Sequence, residues 1–84
     1  SDRRWCEGLA LRAQIHVREG RDARAADDAS QALALAEAGG FLDLAAQSLA
    51  TLAEVARLKH RFAQSLQLRR RAVRAAIDAG DVTG

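Results

Sequence analysis

The chain has 84 residues, one cysteine, no Pro, Tyr or Met, and a formal net charge of +2. A single small domain is the most this length supports, and a domain of this size buries only about 60–65% of its unfolded surface. Cys6 alone excludes an internal disulfide framework, and the longest uncharged run, Leu44 to Ala53, is too short for a bilayer that needs roughly 20 apolar residues.

Apolar residues recur at spacings of three and four, so every long segment is predicted as helix and none as strand. The first helix is predicted over residues 3–18, with Leu9 and Ala13 on its apolar stripe, and it stops at Gly20-Arg21-Asp22. The second runs over residues 22–38, with Asp22 placed to cap it. Gly39-Gly40 ends it, because glycine enters the left-handed conformation that closes helices. The third covers residues 42–58 and carries Leu42, Ala45, Leu49, Leu52 and Ala56 on one stripe. Lys59-His60-Arg61 is the next turn, and the fourth helix covers residues 62–79, with Gly80-Asp81 as its stop. Alanine fills 20 positions and aromatics only three, Trp5, Phe41 and Phe62. Such thin side chains require close antiparallel helix pairs with leucine as filler.

The breaks are evenly spaced, which invites a test for repetition. A shift of 40 residues superposes Leu9 on Leu49, Ala10 on Ala50, Ala13 on Ala53 and Arg21 on Arg61. It also superposes Ala23 on Ala63, Ala32 on Ala72, Ala36 on Ala76 and Gly40 on Gly80. About five identities would arise from so alanine-rich a composition alone, so the regular turn spacing is the stronger sign of a repeat. Repeat one covers about residues 3–40 and repeat two about residues 42–80, together one module over residues 1–84.

After the turn at Gly20 come Ala25, Ala29 and the pair Ala32-Leu33; at the same offsets from His60 stand Ser65, Arg69 and Ala72-Val73. With Leu9 and Ala13 upstream, and Leu49, Leu52 and Ala53 matching them, this order resembles the tetratricopeptide repeat. The usual unit of that family has 34 residues and a closing Pro, whereas this one has about 40 and none. Arg12 stands where a buried Leu is expected, and His60 replaces the turn glycine, a position His tolerates better than most residues. The long alanine-, leucine- and arginine-rich form looks like the repeats of large bacterial regulators, the maltose-regulator-like and LuxR-type transcription factors. The resemblance implies an all-α fold of two antiparallel helical hairpins stacked as a short right-handed solenoid. It also implies a module that binds protein or peptide, the sensor region of a larger bacterial transcription regulator.

In that family the first helix of each pair lines a concave groove. Carried onto this chain, the groove positions are Glu7, Gln14 and Arg18 from repeat one and Gln47, Glu54 and Arg57 from repeat two. Arg18 and Arg57 are then the carboxylate grips, since a guanidinium binds both oxygens at once. Such repeats need about three units to be stable, so two leave apolar ends, Trp5, Leu11 and Ile15 among them, that are expected to stack on further repeats or on another copy. The absence of an initiator Met at Ser1 and of a signal sequence is consistent with a piece of a longer cytoplasmic protein.

Charge is divided unevenly. Residues 1–54 hold 6 Lys/Arg against 9 Asp/Glu, and residues 55–84 hold 7 against 2. Arg69, Arg70, Arg71 and Arg74 lie in a stretch from Arg57 to Arg74 without an acidic residue. With Leu66, Ala72, Val73 and Ala76 turned inward they would form an outer basic ridge, and phosphate contact through it is the alternative function. Phe62 is the sole aromatic near it for stacking on bases. No catalytic, metal or cofactor set is expected: His16 reads as a packed residue, His60 as a turn residue flanked by positive charge, and Cys6 beside Trp5 as a small packed side chain.

Overall fold

A computed structural model describes residues 2–83, with side chains through residue 80. It contains four helices, α1 (Asp2–Arg18), α2 (Asp22–Gly39), α3 (Leu42–Leu58) and α4 (Phe62–Thr83). There are no strands among the described residues. The fold is all-α: α1 and α2 form one antiparallel hairpin, α3 and α4 a second, and the two stack through α2 on α3 and α1 on α3. Helix α4 packs its backbone against α3 and reaches α2 only through side chains such as Arg71, as expected of a short solenoid rather than a closed four-helix bundle.

One turn geometry is used three times. Gly20, Gly40 and His60, twenty residues apart, take positive φ values of 75°, 71° and 61°. In each turn the next amide bonds back to a carbonyl five residues earlier, Arg21 to His16, Phe41 to Ala36 and Arg61 to Ala56, all at 2.8 Å. This reversal satisfies carbonyls that the helix end leaves unpaired. The following helix starts at once, since the carbonyls of Arg21, Phe41 and Arg61 accept from Ala25, Ala45 and Ser65 at 2.9 Å. The cap of α2 is therefore Arg21, which makes no side-chain capping bond; Asp22 is already in the first turn, where its charge faces the positive end of the helix dipole. Gly80 does not stop α4, which continues to Thr83, and its φ is not positive. A glycine ends a helix only when the backbone takes the left-handed turn there.

The core is thin. Cys6, Leu9, Ala10 and Ala13 from α1 meet Ala25, Ala29, Ala32 and Ala36 from α2 and Leu44, Ala45, Leu49 and Ala53 from α3. Cys6 and Ser48 are the largest fully buried side chains. Helices separated by such small groups come close enough for a side chain to reach the neighbouring backbone. The Cys6 thiol donates to the Ala32 carbonyl at 3.2 Å, and the Ser65 hydroxyl to the Ala53 carbonyl at 2.8 Å.

Helix α4 turns a different face inward from the one its apolar pattern suggests. Ser65 and Ala72 are buried, whereas Leu66, Val73 and Ala76 are exposed. Phe62, Leu66, Val73 and Ile77 form a stripe whose members are between 51% and 61% exposed. The inward direction is set by the small Ser65 and Ala72, which permit close approach to α3, and the larger residues are left on the flank away from α2.

Candidate functional site

Helices α1 and α3 lie side by side, and a cleft of about 370 Å³ opens between the C-terminal part of α1 and the middle of α3. Gln14 and Arg18 come to it from α1, Gln47 and Glu54 from α3. Helical spacing places Arg18 one turn beyond Gln14, and Gln47 and Glu54 two turns apart on the same side of α3. Val17, Ala50 and Thr51 complete the lining, with the Thr51 hydroxyl turned back onto the Gln47 carbonyl at 3.1 Å. Two amides, a guanidinium and a carboxylate thus surround a short apolar surface.

The charged members are not equivalent. Glu54 is gripped by Arg57, whose Nε and Nη2 both donate to it. Those bonds hold the Glu54 carboxyl below the usual carboxylate range, and Arg69 adds to the effect by charge. Arg57 itself does not line the cleft and is already engaged. Arg18 has no ion-pair partner among the described residues.

Glu7 lies outside the cleft. It pairs with Arg3 at 3.3 Å, and Arg3 donates through Nη1 and Nη2 to Asp43 at 3.2 and 2.6 Å. The Arg3 guanidinium also sits 5.4 Å from the centre of the Phe41 ring, a cation–π arrangement. Glu7, Arg3 and Asp43 form a clasp between the N-terminal ends of α1 and α3. The hydrogen bond from Arg3 lowers the Asp43 pKa and raises that of Arg3.

Of the four arginines of α4, Arg70 and Arg74 share a face with Arg71 at its edge, and Arg69 is turned away from them. Arg71 reaches Glu37 of α2 at 3.8 Å, Arg74 pairs with Asp78 at 3.5 Å, and Arg69 lies within electrostatic reach of Glu54. Arg70 is exposed. At 100° per residue, Arg69, Arg70 and Arg71 are fanned over about 200° of the helix.

A second polar cluster was not expected from the sequence. Arg12 Nε donates to Asp28 Oδ2 at 2.7 Å and Nη2 to Oδ1 at 2.9 Å; His16 Nε2 lies 3.5 Å from Oδ2. The Asp28 side chain is only 10% exposed, and the Arg12 hydrogen bonds hold its carboxyl below the ordinary value against the opposing effect of burial. The signal that points to it is a pair of exceptions: Arg12 on a stripe that should hold a leucine, and Asp28 in the otherwise alanine-lined face of α2. His60 is placed edge-on to Phe62, with ring centres 5.7 Å apart. Cys6 is fully buried, and burial pushes its thiol pKa up, away from the thiolate form that reacts.

No group of three or more metal-ligating side chains comes together among the described residues, and no described helix is long and apolar enough to cross a membrane. In comparisons with known proteins, no family model, curated protein or solved structure matches the chain.

Proposed function

We propose that this chain is a tetratricopeptide-like interaction module whose α1–α3 cleft takes an extended segment of a partner polypeptide. The observation that supports this reading is the convergence of Gln14, Arg18, Gln47 and Glu54, from two separate hairpins, on one cleft. The glutamine amides offer paired donors and acceptors for a peptide backbone, Val17 and Ala50 take a small apolar side chain, and unpaired Arg18 takes a carboxylate. Glu54, already neutralised by Arg57, does not repel that carboxylate strongly. Arg71 and Arg74 are already engaged by Glu37 and Asp78, which favours this reading over phosphate contact through α4.

Within this reading the module serves as the partner-sensing region of a larger bacterial transcription regulator in the cytoplasm. The 40-residue, alanine- and arginine-rich repeat supports that placement. The test is a screen of short acidic and neutral peptides against the full chain. Acidic peptides are expected to bind and to shift backbone NMR signals of Val17, Ala50 and Thr51. Shifts confined to α4, or binding of random duplex DNA that falls steeply with salt, would replace the cleft with the arginines as the functional surface.

A further inference from the structure

Apart from the cleft, a hollow of about 220 Å³ lies over the C-terminal half of α3, walled by α2 on one side and by the beginning of α4 on the other. Leu52, Val55 and Leu68 give it an apolar lining, and the exposed Ser30, Lys59, Arg61 and Gln64 supply hydrogen-bond donors. By helical spacing, Gln64 and Leu68 lie about half a turn round α4 from Phe62, Leu66, Val73 and Ile77. The hollow is therefore bounded by helices of this chain whatever covers that outer stripe.

Its charge sets it apart. Three other clefts each carry a carboxylate: Glu54 between α1 and α3, Glu37 and Asp78 toward the C-terminal ends of α2 and α4, and Asp27 and Asp28 in the first hairpin. This one is lined by none, and neither Lys59 nor Arg61 has an ion-pair partner among the described residues. His60, between them, stands edge-on to Phe62. At the equivalent turn 40 residues earlier, Glu19 stands for Lys59, Arg21 for Arg61 and Asp22 for Phe62, and Arg21 lies 3.6 Å from Glu19. Leu52 and Leu68 likewise replace Arg12 and Asp28, which satisfy each other in the first hairpin. The second hairpin has thus exchanged a self-neutralised surface for an apolar hollow with two cations on it. Like charges placed on one hollow repel each other until an anion lies between them.

We propose that this hollow binds the phosphate monoester of a small apolar alcohol, with the phosphate held by Lys59 and Arg61 and the apolar body against Leu52, Val55 and Leu68. Such a phosphate carries about −1.5 to −2 charges at neutral pH, which balances two cations where a carboxylate would leave one over. Its three oxygens match the donors present: an ammonium, a guanidinium, the Gln64 amide and the Ser30 hydroxyl. The hollow is smaller than the roughly 300–1,000 Å³ of clefts that enclose drug-sized ligands. A single ring or a short branched chain fills it, and its three helical walls suit a free small molecule better than a polypeptide running through.

The experiment titrates the full chain with phenyl phosphate, inorganic phosphate and a phosphotyrosine peptide, read by calorimetry and by the methyl NMR signals of Val55 and Leu68. Phenyl phosphate is expected to shift both methyls and to bind about tenfold more tightly than inorganic phosphate, since only the ester buries a ring. Lys59→Glu restores the acid found at the equivalent turn, so it should pair with Arg61 and lower affinity for phenyl phosphate about tenfold or more, with helical circular dichroism unchanged. Arg61→Gln, a second exposed position, should weaken binding in the same direction. Unmoved Val55 and Leu68 signals, equal affinity for phenyl and inorganic phosphate, or full affinity in Lys59→Glu would each overturn the proposal. A phosphotyrosine peptide that binds more tightly than phenyl phosphate would overturn the assignment to a free small molecule. Neither variant touches the α1–α3 cleft, so binding of acidic peptides there should persist in both, and failure here is distinguishable from failure of the cleft.

Discussion

Arg12 and Asp28 face each other across the first hairpin, joined by two hydrogen bonds of 2.7 and 2.9 Å, with the carboxylate nearly covered and the guanidinium more than half exposed. The arrangement lets a charged side chain occupy the flank of an apolar stripe. The arginine head remains in water while its stem covers the helix surface. His16 stands against the same carboxylate, so three polar groups from α1 and α2 meet where an aliphatic contact would otherwise hold the helices together.

The pair makes stability depend on pH in a definite direction. The Asp28 carboxyl is depressed below its unfolded value, about 3.9. Its contribution is therefore complete above that value and is lost as pH falls through the lower folded pKa. Asp43 and Glu54, depressed by Arg3 and Arg57, act in the same direction but from exposed positions where solvent screens them. Thermal melts between pH 6 and roughly pH 2 should show stability falling on the acid side, and Asp28→Asn should flatten that fall more than Asp43→Asn does. Equal slopes in the unaltered protein and Asp28→Asn would show that the pair carries no linkage.

The three turns invite a second test. His60 holds the left-handed conformation that Gly20 and Gly40 hold elsewhere, at φ 61°. A side chain there costs roughly 1–2 kcal/mol, part of which His60→Gly recovers, less the greater entropy that glycine loses on folding. His60→Gly is expected to raise stability by about 0.5–1 kcal/mol, and Gly40→Ala to lower it by about 1 kcal/mol or more. Urea titrations of the two variants measure both; a destabilised His60→Gly would mean that the edge contact with Phe62 outweighs the strain.

Turns and helices were legible because each depends on a local property: a left-handed residue every twenty positions, and apolar spacing of three and four between. The Arg12–Asp28 pair was not, because the partner lies sixteen residues away on another helix and a lone arginine on an apolar stripe does not announce what compensates it. The orientation of α4 failed for a related reason. Periodicity reveals that Leu66, Val73 and Ile77 form a face suited to burial, but it does not say that this chain supplies the cover. The direction α4 actually turns is read from Ser65 and Ala72, whose small size is informative only once α3 is placed beside them. Of the six groove positions that the tetratricopeptide resemblance implied, Gln14, Arg18, Gln47 and Glu54 line one cleft. Arg57 is instead turned to Glu54, and Glu7 lies near the N-terminal end of α1, paired with Arg3, whose other partner, Asp43, is 40 residues away.

A third prediction concerns the closeness of the helices. Ala29 is fully buried where α2 meets its neighbours, and a larger side chain has no room without separating them. Ala29→Leu should destabilise by about 1–3 kcal/mol despite adding apolar surface. Ser65→Ala should cost about 1 kcal/mol, because it leaves the Ala53 carbonyl without the hydroxyl that now donates to it at 2.8 Å. Stability of both is measured by denaturant unfolding; an Ala29→Leu protein as stable as the original would show that the core has slack.

The two arginines assigned alike from sequence should behave differently in binding. Arg18 stands in the cleft with no ion-pair partner among the described residues, so Arg18→Ala removes a cation that nothing else replaces, and affinity for an acidic peptide should fall about tenfold or more. Arg57 touches the cleft only through Glu54. Arg57→Ala releases that carboxylate, which then repels an acidic ligand from across the cleft, so affinity falls through Glu54 rather than through a lost direct contact. The double variant Arg57→Ala with Glu54→Gln separates the two: with no charge left to repel, it should recover most of the affinity, whereas Arg18→Ala with Glu54→Gln should not. Titration calorimetry of the four proteins at two salt concentrations reads this directly. If Glu54→Gln rescues both variants equally, or neither, Arg18 and Arg57 are equivalent grips and the distinction drawn from their pairing is wrong.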